Sequence, residues 1–227
     1  MEIPKKFQDL LSLYRNETII RLLSEWTSPN RLEKIDQVLD ARLHGLQVAI
    51  ESPSDLHNAS ASTRSCEAFG VYQVHVISSE VKKTSGKSAS QGAWKWTFVH
   101  KHKNTQDFIS EMKRQGVLLA GASLKGKLSL EKIPVDKPLC LLFGNEDRGL
   151  SEEALSSCEY EFTIPMQGMM ESLNLSVAVG ISVYETAKRM RPLQAGEALD
   201  ANTLKAIYLI QAIGIEKAKL LLKRGLA

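Results

Sequence analysis

The sequence predicts an α/β protein built on a mostly parallel sheet with helices on both faces and helical extensions at its two ends. Three observations predict it. Short apolar runs alternate with segments of helical periodicity between about residues 46 and 192. An apolar fraction of 43% over 227 residues is enough to bury a core of ordinary size. The stretch Phe162 to Ser176 passes from an apolar strand through a Pro- and Gly-containing loop into a helix, Val177 to Val183, too apolar to face water.

Residues 1 to about 29 read as a short amphipathic helical extension, with Phe7, Leu10, Leu11 and Tyr14 on one face, closing at Ser28-Pro29-Asn30. Arg31 to Arg42 forms a second helix, with Leu32, Ile35, Val38 and Leu39 at helical spacing. Leu46 to Ile50 is a strand, Asn58 to Phe69 a helix with Asn58 as its N-cap and Gly70 just past its end, and Val71 to Ile77 a strand. A polar Ser/Lys/Gly-rich loop spans 78–93, and Trp94 to Val99 resumes a half-buried strand. Thr105 to Gln115 is a helix, Val117 to Ala120 a strand and Leu139 to Phe143 a central strand. Ser151 with Glu152 and Glu153 opens another helix. Leu204 to Leu222 is helical, broken at Gly214. The expected divisions are a helical extension over 1–45, a main domain over 46–192 and a second helical extension over 193–227.

A net charge of only +3 means that any nucleic-acid site is a local patch. Cys66, Cys140 and Cys158 show no C-x-x-C spacing, which argues against zinc or a disulfide framework and for buried thiols in a reducing cytosol. Met1 to Lys6 is no signal region and no run approaches 18 apolar residues, so a soluble cytoplasmic protein without membrane contact is expected. His57, His75, His100 and His102 lack ligand spacing, so no metal is expected. No G-x-G-x-x-G follows a strand, which speaks against a nucleotide-dependent oxidoreductase.

Three segments carry chemistry. The first is Leu56 to Gly70, with Asn58, Arg64 and Phe69-Gly70; the second is strand 139–143 with Gly144-Asn145-Glu146-Asp147-Arg148-Gly149-Leu150; the third is Ile164-Pro165-Met166-Gln167-Gly168 followed by Ser172-Leu173-Asn174. Taken singly, Ser172 and Asn174 are capping residues at a helix start. Glycine at 144 lets backbone approach a ligand at a strand's carboxyl end, where open α/β sheets bind. In this order the three segments resemble the motifs of the SpoU (SPOUT-class) RNA 2′-O-methyltransferases, over roughly residues 31–192. Ala59, Ser60 and Ala61 depart from the Gly-containing run common in that family.

The resemblance implies a C-terminal trefoil knot over about 139–192, threaded against the general rule, with S-adenosyl-L-methionine as cofactor. It implies that Gly121, Ala122, Gly144, Ile164, Met166, Ser172 and Leu173 enclose the cofactor, the adenine being read by main-chain groups and apolar walls. Arg64 is the residue that the family proposes as the one deprotonating the ribose 2′-hydroxyl. Glu146 supports the active-site loop, and Ser172 and Asn174 hold the arginine and the substrate ribose-phosphate, with Asn58 beside them. A guanidinium keeps its proton at ordinary pH, so stabilising an alkoxide or binding a phosphate that takes the proton suits Arg64 better.

Arg31, Lys34 and Arg42 on the second helix match the basic helix of the TrmH-type transfer-RNA enzymes, and Lys113, Arg114, Lys188, Arg189 and Arg191 lie where that subgroup contacts phosphates. Trp94 and Trp96 could stack on bases. The resemblance therefore implies a homodimer that 2′-O-methylates guanosine 18 in the D loop of tRNA. Methylation of ribosomal RNA or of another tRNA position, and a knotted RNA-binding protein without catalysis, are the alternatives.

Overall fold

A computed structural model describes residues 3–78, 92–193, 196 and 199–225. In chain order the elements are α1 (Lys5–Leu13), α2 (Asn16–Ser24), α3 (Pro29–Asp40), β1 (Leu43–Glu51), α4 (Leu56–Ala68), β2 (Val71–Ile77), β3 (Phe98–His102) and α5 (Thr105–Gln115). There follow β4 (Leu118–Ala122), β5 (Leu128–Ser129), β6 (Leu139–Phe143), α6 (Glu152–Ser156), β7 (Tyr160–Thr163), α7 (Leu175–Met190), α8 (Ala201–Ile213) and α9 (Ile215–Arg224). The chain divides into two compact units, 1–42 with 198–227 and 43–197.

In the helical unit, α2 packs on α8 and α9, and α3 packs on α8. Residues 3–28 hold two helices, α1 and α2, because Tyr14 and Arg15 between them are extended (ψ 138° and 145°). Asn16, which opens α2, donates its amide to Thr203 Oγ1 at 2.8 Å, anchoring the new helix to α8. Gly214 separates α8 from α9 as expected.

The second unit is a seven-stranded sheet in the order β3-β2-β1-β6-β4-β7-β5, with every neighbouring pair parallel. Period-2 alternation splits each central strand between two cores. Val48, Ile50, Leu141 and Phe143 join Cys66, Val179, Val183 and Met190 beneath α4 and α7. Ala49, Cys140 and Leu142 face Phe108, Met112 and Ala154 from α5 and α6. Burial on both faces is why Leu139–Phe143 reads as an unbroken apolar run.

Two local expectations fail for identifiable reasons. Asp55, not Asn58, caps α4: its carboxylate accepts from the His57 N–H at 2.7 Å, starting the helix three residues earlier than an Asn58 cap would allow. Residues 94–96 are no strand. Gly92, at φ +86°, turns the chain into a single 3₁₀ turn over Ala93–Lys95, and the Trp94 indole N–H donates to Ser60 Oγ at 3.2 Å. Strand β3 begins only at Phe98. The loop expected over 78–93 lies mostly outside the described residues.

Candidate active site

The loops leaving β1, β4, β6 and β7 all emerge at the carboxyl edge of the sheet. Chain order reverses there: β1 leads outward to β2 and β3, while β4 lies on the far side of β6. Such a reversal opens a crevice in a parallel sheet. The crevice is a cavity of about 450 Å³, lined by Ala122 to Lys125, Phe143 to Leu150, Phe162 to Ile164, Met166, Glu171 to Leu173 and Leu175, among others. That volume suits a ligand of cofactor size. Its walls offer apolar side chains to a purine ring and main-chain groups of three loops to its edges, so the residues present fit S-adenosylmethionine.

Of the residues expected to enclose the cofactor, Ala122, Gly144, Ile164, Met166, Ser172 and Leu173 line this cavity, and Gly121 does not. Gly121 lies inside β4, where a Cβ would point at Cys158 Sγ (3.0 Å) and the Leu150 side chain (3.1 Å), into the core. At Gly144 the space a side chain needs is taken by protein rather than ligand: a Cβ would lie 2.0 Å from the carbonyl carbon of Gly149. Glycine there lets the 144–150 loop close on itself, which it does through paired backbone bonds between Asn145 and Gly149 (3.0 and 2.9 Å). The Asn145 side chain accepts from the N–H groups of Asp147 and Arg148 and donates to the Ser52 carbonyl.

A chain of hydrogen bonds joins the three sequence segments. Glu146 Oε1 accepts from Asn58 Nδ2 at 2.8 Å. Asn58 Oδ1 accepts from Asn174 Nδ2 at 3.2 Å. Asn174 Oδ1 accepts from the Ser176 N–H (2.9 Å) and hydroxyl (2.7 Å), making Asn174 the N-cap of α7. The chain has a direction. An ionised carboxylate only accepts and a backbone N–H only donates, so each asparagine between them has a single amide orientation. Burial raises the Glu146 pKa, but the bonds from the Ser54 hydroxyl, the Ser54 N–H and Asn58 outweigh it and hold the carboxyl below its ordinary value. Ser54 and Ser176 escaped the sequence reading, since a lone serine in a loop or a first helical turn carries no signal of its own.

Arg64 stands apart from this chain: it is exposed on α4 and neither Ser172 nor Asn174 bonds it. Ser172 is exposed at the cavity rim. Among the cations expected to meet phosphates, Lys34, Lys113 and Lys188 are exposed, as is Arg31. Arg114 is exposed but paired with Glu111 at 2.6 Å. Arg191 donates to the Phe69 carbonyl at 3.0 Å. Arg189 is committed to the carbonyls of Leu130 and Ile133. Arg42 is 5% exposed, its Nε donating to the Tyr208 hydroxyl at 2.8 Å. Helical spacing placed Arg42 on the solvent face, but α3 ends at Asp40 and, past exposed Ala41, Arg42 and Leu43 are buried. Among the described residues no group of three His, Cys, Asp or Glu could hold a metal, and no helix is long and apolar enough to cross a membrane.

Residues 45–184 match the SpoU rRNA Methylase family. The chain is 33% identical over 178 residues to the tRNA (guanosine(18)-2'-O)-methyltransferase of Escherichia coli (strain K12), covering 78% of this chain and 77% of that one. Its structure resembles the crystal structure of the A. aeolicus TrmH/SpoU tRNA modifying enzyme (TM-score 0.65, 32% identity, covering 86% of this chain and 94% of that one). It also resembles an AdoMet-bound rRNA methyltransferase from Sinorhizobium meliloti (TM-score 0.61, 26% identity, 67% and 60%). With more than half its length matched and a site assembled from the family's three segments, the chain belongs to the SpoU methylase family.

Proposed function

We propose that this protein is a cytosolic S-adenosylmethionine-dependent RNA 2′-O-ribose methyltransferase whose substrate is the guanosine at position 18 of transfer RNA. The observation that carries the reading is the convergence of Asn58, Glu146 and Asn174, from three distant segments, at the rim of a cofactor-sized cavity. The choice of nucleotide is supported by the E. coli relative, named for that reaction. When bound, S-adenosylmethionine supplies a methyl group already activated on a positively charged sulfur. The protein has only to place the ribose oxygen and assist the loss of its proton. Glu146 keeps Asn58 and Asn174 fixed at the cavity rim, where α7 begins. Arg64, exposed and always charged, binds the RNA phosphate or the developing alkoxide rather than removing the proton itself.

The family knot and a homodimer complete this reading. Val177, Ile181 and Tyr184 stand at helical spacing on α7 and are 47%, 41% and 53% exposed, an apolar stripe that a second copy would cover. Sedimentation of the protein at micromolar concentration should give twice the 25.2 kDa of one chain, and Ile181→Glu should return it to that mass.

The function is tested by methyl transfer from radiolabelled S-adenosylmethionine to unmodified tRNA transcripts, with the modified nucleotide mapped. Label at the guanosine-18 ribose, lost in Arg64→Ala, is the expected result. Label at another tRNA ribose keeps the chemistry and discards the position, and inert tRNA and ribosomal RNA discard both.

A further inference from the structure

Glu146 owes its placement to a residue outside the reactive positions of the three segments. Ser54 donates its backbone N–H (2.9 Å) and its hydroxyl (2.6 Å) to one carboxylate oxygen, Oε2, while Asn58 holds the other. The turn that carries Ser54 is itself pinned. Ser52 sits at φ +47°, a conformation an L-residue adopts only when its surroundings impose it, and the neighbouring Asn145 bonds the Ser52 carbonyl at 2.7 Å. Two successive residues of one loop, Asn145 and Glu146, are thus clasped by the turn leaving β1.

A carboxylate held on one oxygen alone turns easily, because its terminal torsion is soft. Two donors on the second oxygen remove that freedom and favour the charged, acceptor-only form. We propose that Ser54 is a positioning residue for methyl transfer, locking Glu146 so that Asn58, and through it Asn174, keep one amide orientation. This role rests on the function proposed above. The ionisable groups on the surrounding elements are Asp55 and His57 beside Ser54, Asp147 and Arg148 on the loop of Glu146, and Lys125 and Glu171 across the cavity.

The test begins with the ¹⁵N-labelled protein alone. The side-chain amide resonances of Asn58 and Asn174 are followed from pH 7 to pH 3 in the unsubstituted protein, Ser54→Ala and Ser54→Thr. In Ser54→Ala the pH at which both amides shift should rise by about one unit, and Ser54→Thr should restore it. In tRNA methylation Ser54→Ala should lower kcat about five- to ten-fold, with KM for S-adenosylmethionine and for tRNA within about two-fold, and Ser54→Thr should recover the rate. An unchanged amide titration in Ser54→Ala overturns the role, whether activity holds or falls only with the folded fraction. If the unsubstituted protein methylates no RNA, the function itself is wrong, and that result is distinct from a failed titration shift in an active enzyme.

Discussion

Glu146→Gln separates the two things a carboxylate does at this position. The substitution keeps size and shape but brings an NH₂ group that competes to face Asn58, so the amide chain loses its fixed direction. The expected result is a fall in kcat of about ten- to hundred-fold, with S-adenosylmethionine affinity, measured by calorimetry, within about three-fold. Affinity falling in parallel with kcat would instead place Glu146 in cofactor binding. Acid acts on the same group. Its folded pKa is depressed, so the stabilisation it contributes is present above the ordinary glutamate value of 4.5 and disappears as pH falls through the lower folded value. Gly144→Ala is a different kind of lesion. The added methyl meets the Gly149 backbone at 2.0 Å, and backbone cannot swing aside as a side chain can. A loss of about 2–4 kcal/mol in urea unfolding is expected, with activity lost alongside.

At the scale of elements, two basic residues of one segment part company. Lys34 is exposed on α3, and Arg42 is buried just beyond it against Tyr208, its guanidinium carbon 5.6 Å from the ring centroid. Lys34→Ala should reduce the salt dependence of tRNA binding by about 0.9 in log–log slope without altering stability. Arg42→Ala should lower the unfolding free energy by about 2–3 kcal/mol, since it strips a buried hydrogen bond and its packing. Filter binding across a salt series and urea melts of the two variants distinguish these fates. The contrast also marks where sequence reading ends. Spacing along Arg31 to Arg42 found the helix but not its partner, because Tyr208 lies 166 residues away in sequence. Asn58 presented the same difficulty: its type suits a cap, and only Asp55 three residues upstream released it for Glu146. Where burial on two faces dominates, as in Val71–Ile77 and Leu139–Phe143, the expected and observed strand bounds coincide.

On the scale of the molecule, strand order was beyond periodicity, which detects strands but not their neighbours; so was the polar row that the order creates. Gln47, Gln73, His75, His100 and His102 come from β1, β2 and β3, with His75 bridging Gln47 (2.7 Å) and His102 (2.9 Å). His100 meets Gln73 at 2.6 Å and stacks on His75. Desolvation, with the neighbouring His102, lowers His100 to about 4, and His75, fully buried, is pushed well below its ordinary value. Folded pKa values below unfolded ones mean stability that is full above 6.5 and lost as pH falls through about 4. His100 alone should contribute a loss of about 3 kcal/mol between those limits. Urea melts at pH 7 and pH 4 should show that loss diminished in His100→Gln.

The crevice draws on residues within 122–125, 143–155 and 162–178, so its walls meet only after strands far apart in the chain have found one another. No early fragment contains a rudimentary version of it. In refolding, helix signals should return first and the capacity to retain S-adenosylmethionine last, because long-range parallel pairing is slow. During synthesis the same order makes the enzyme silent until α7 has cleared the ribosome, so a half-made chain cannot modify the RNA it meets there.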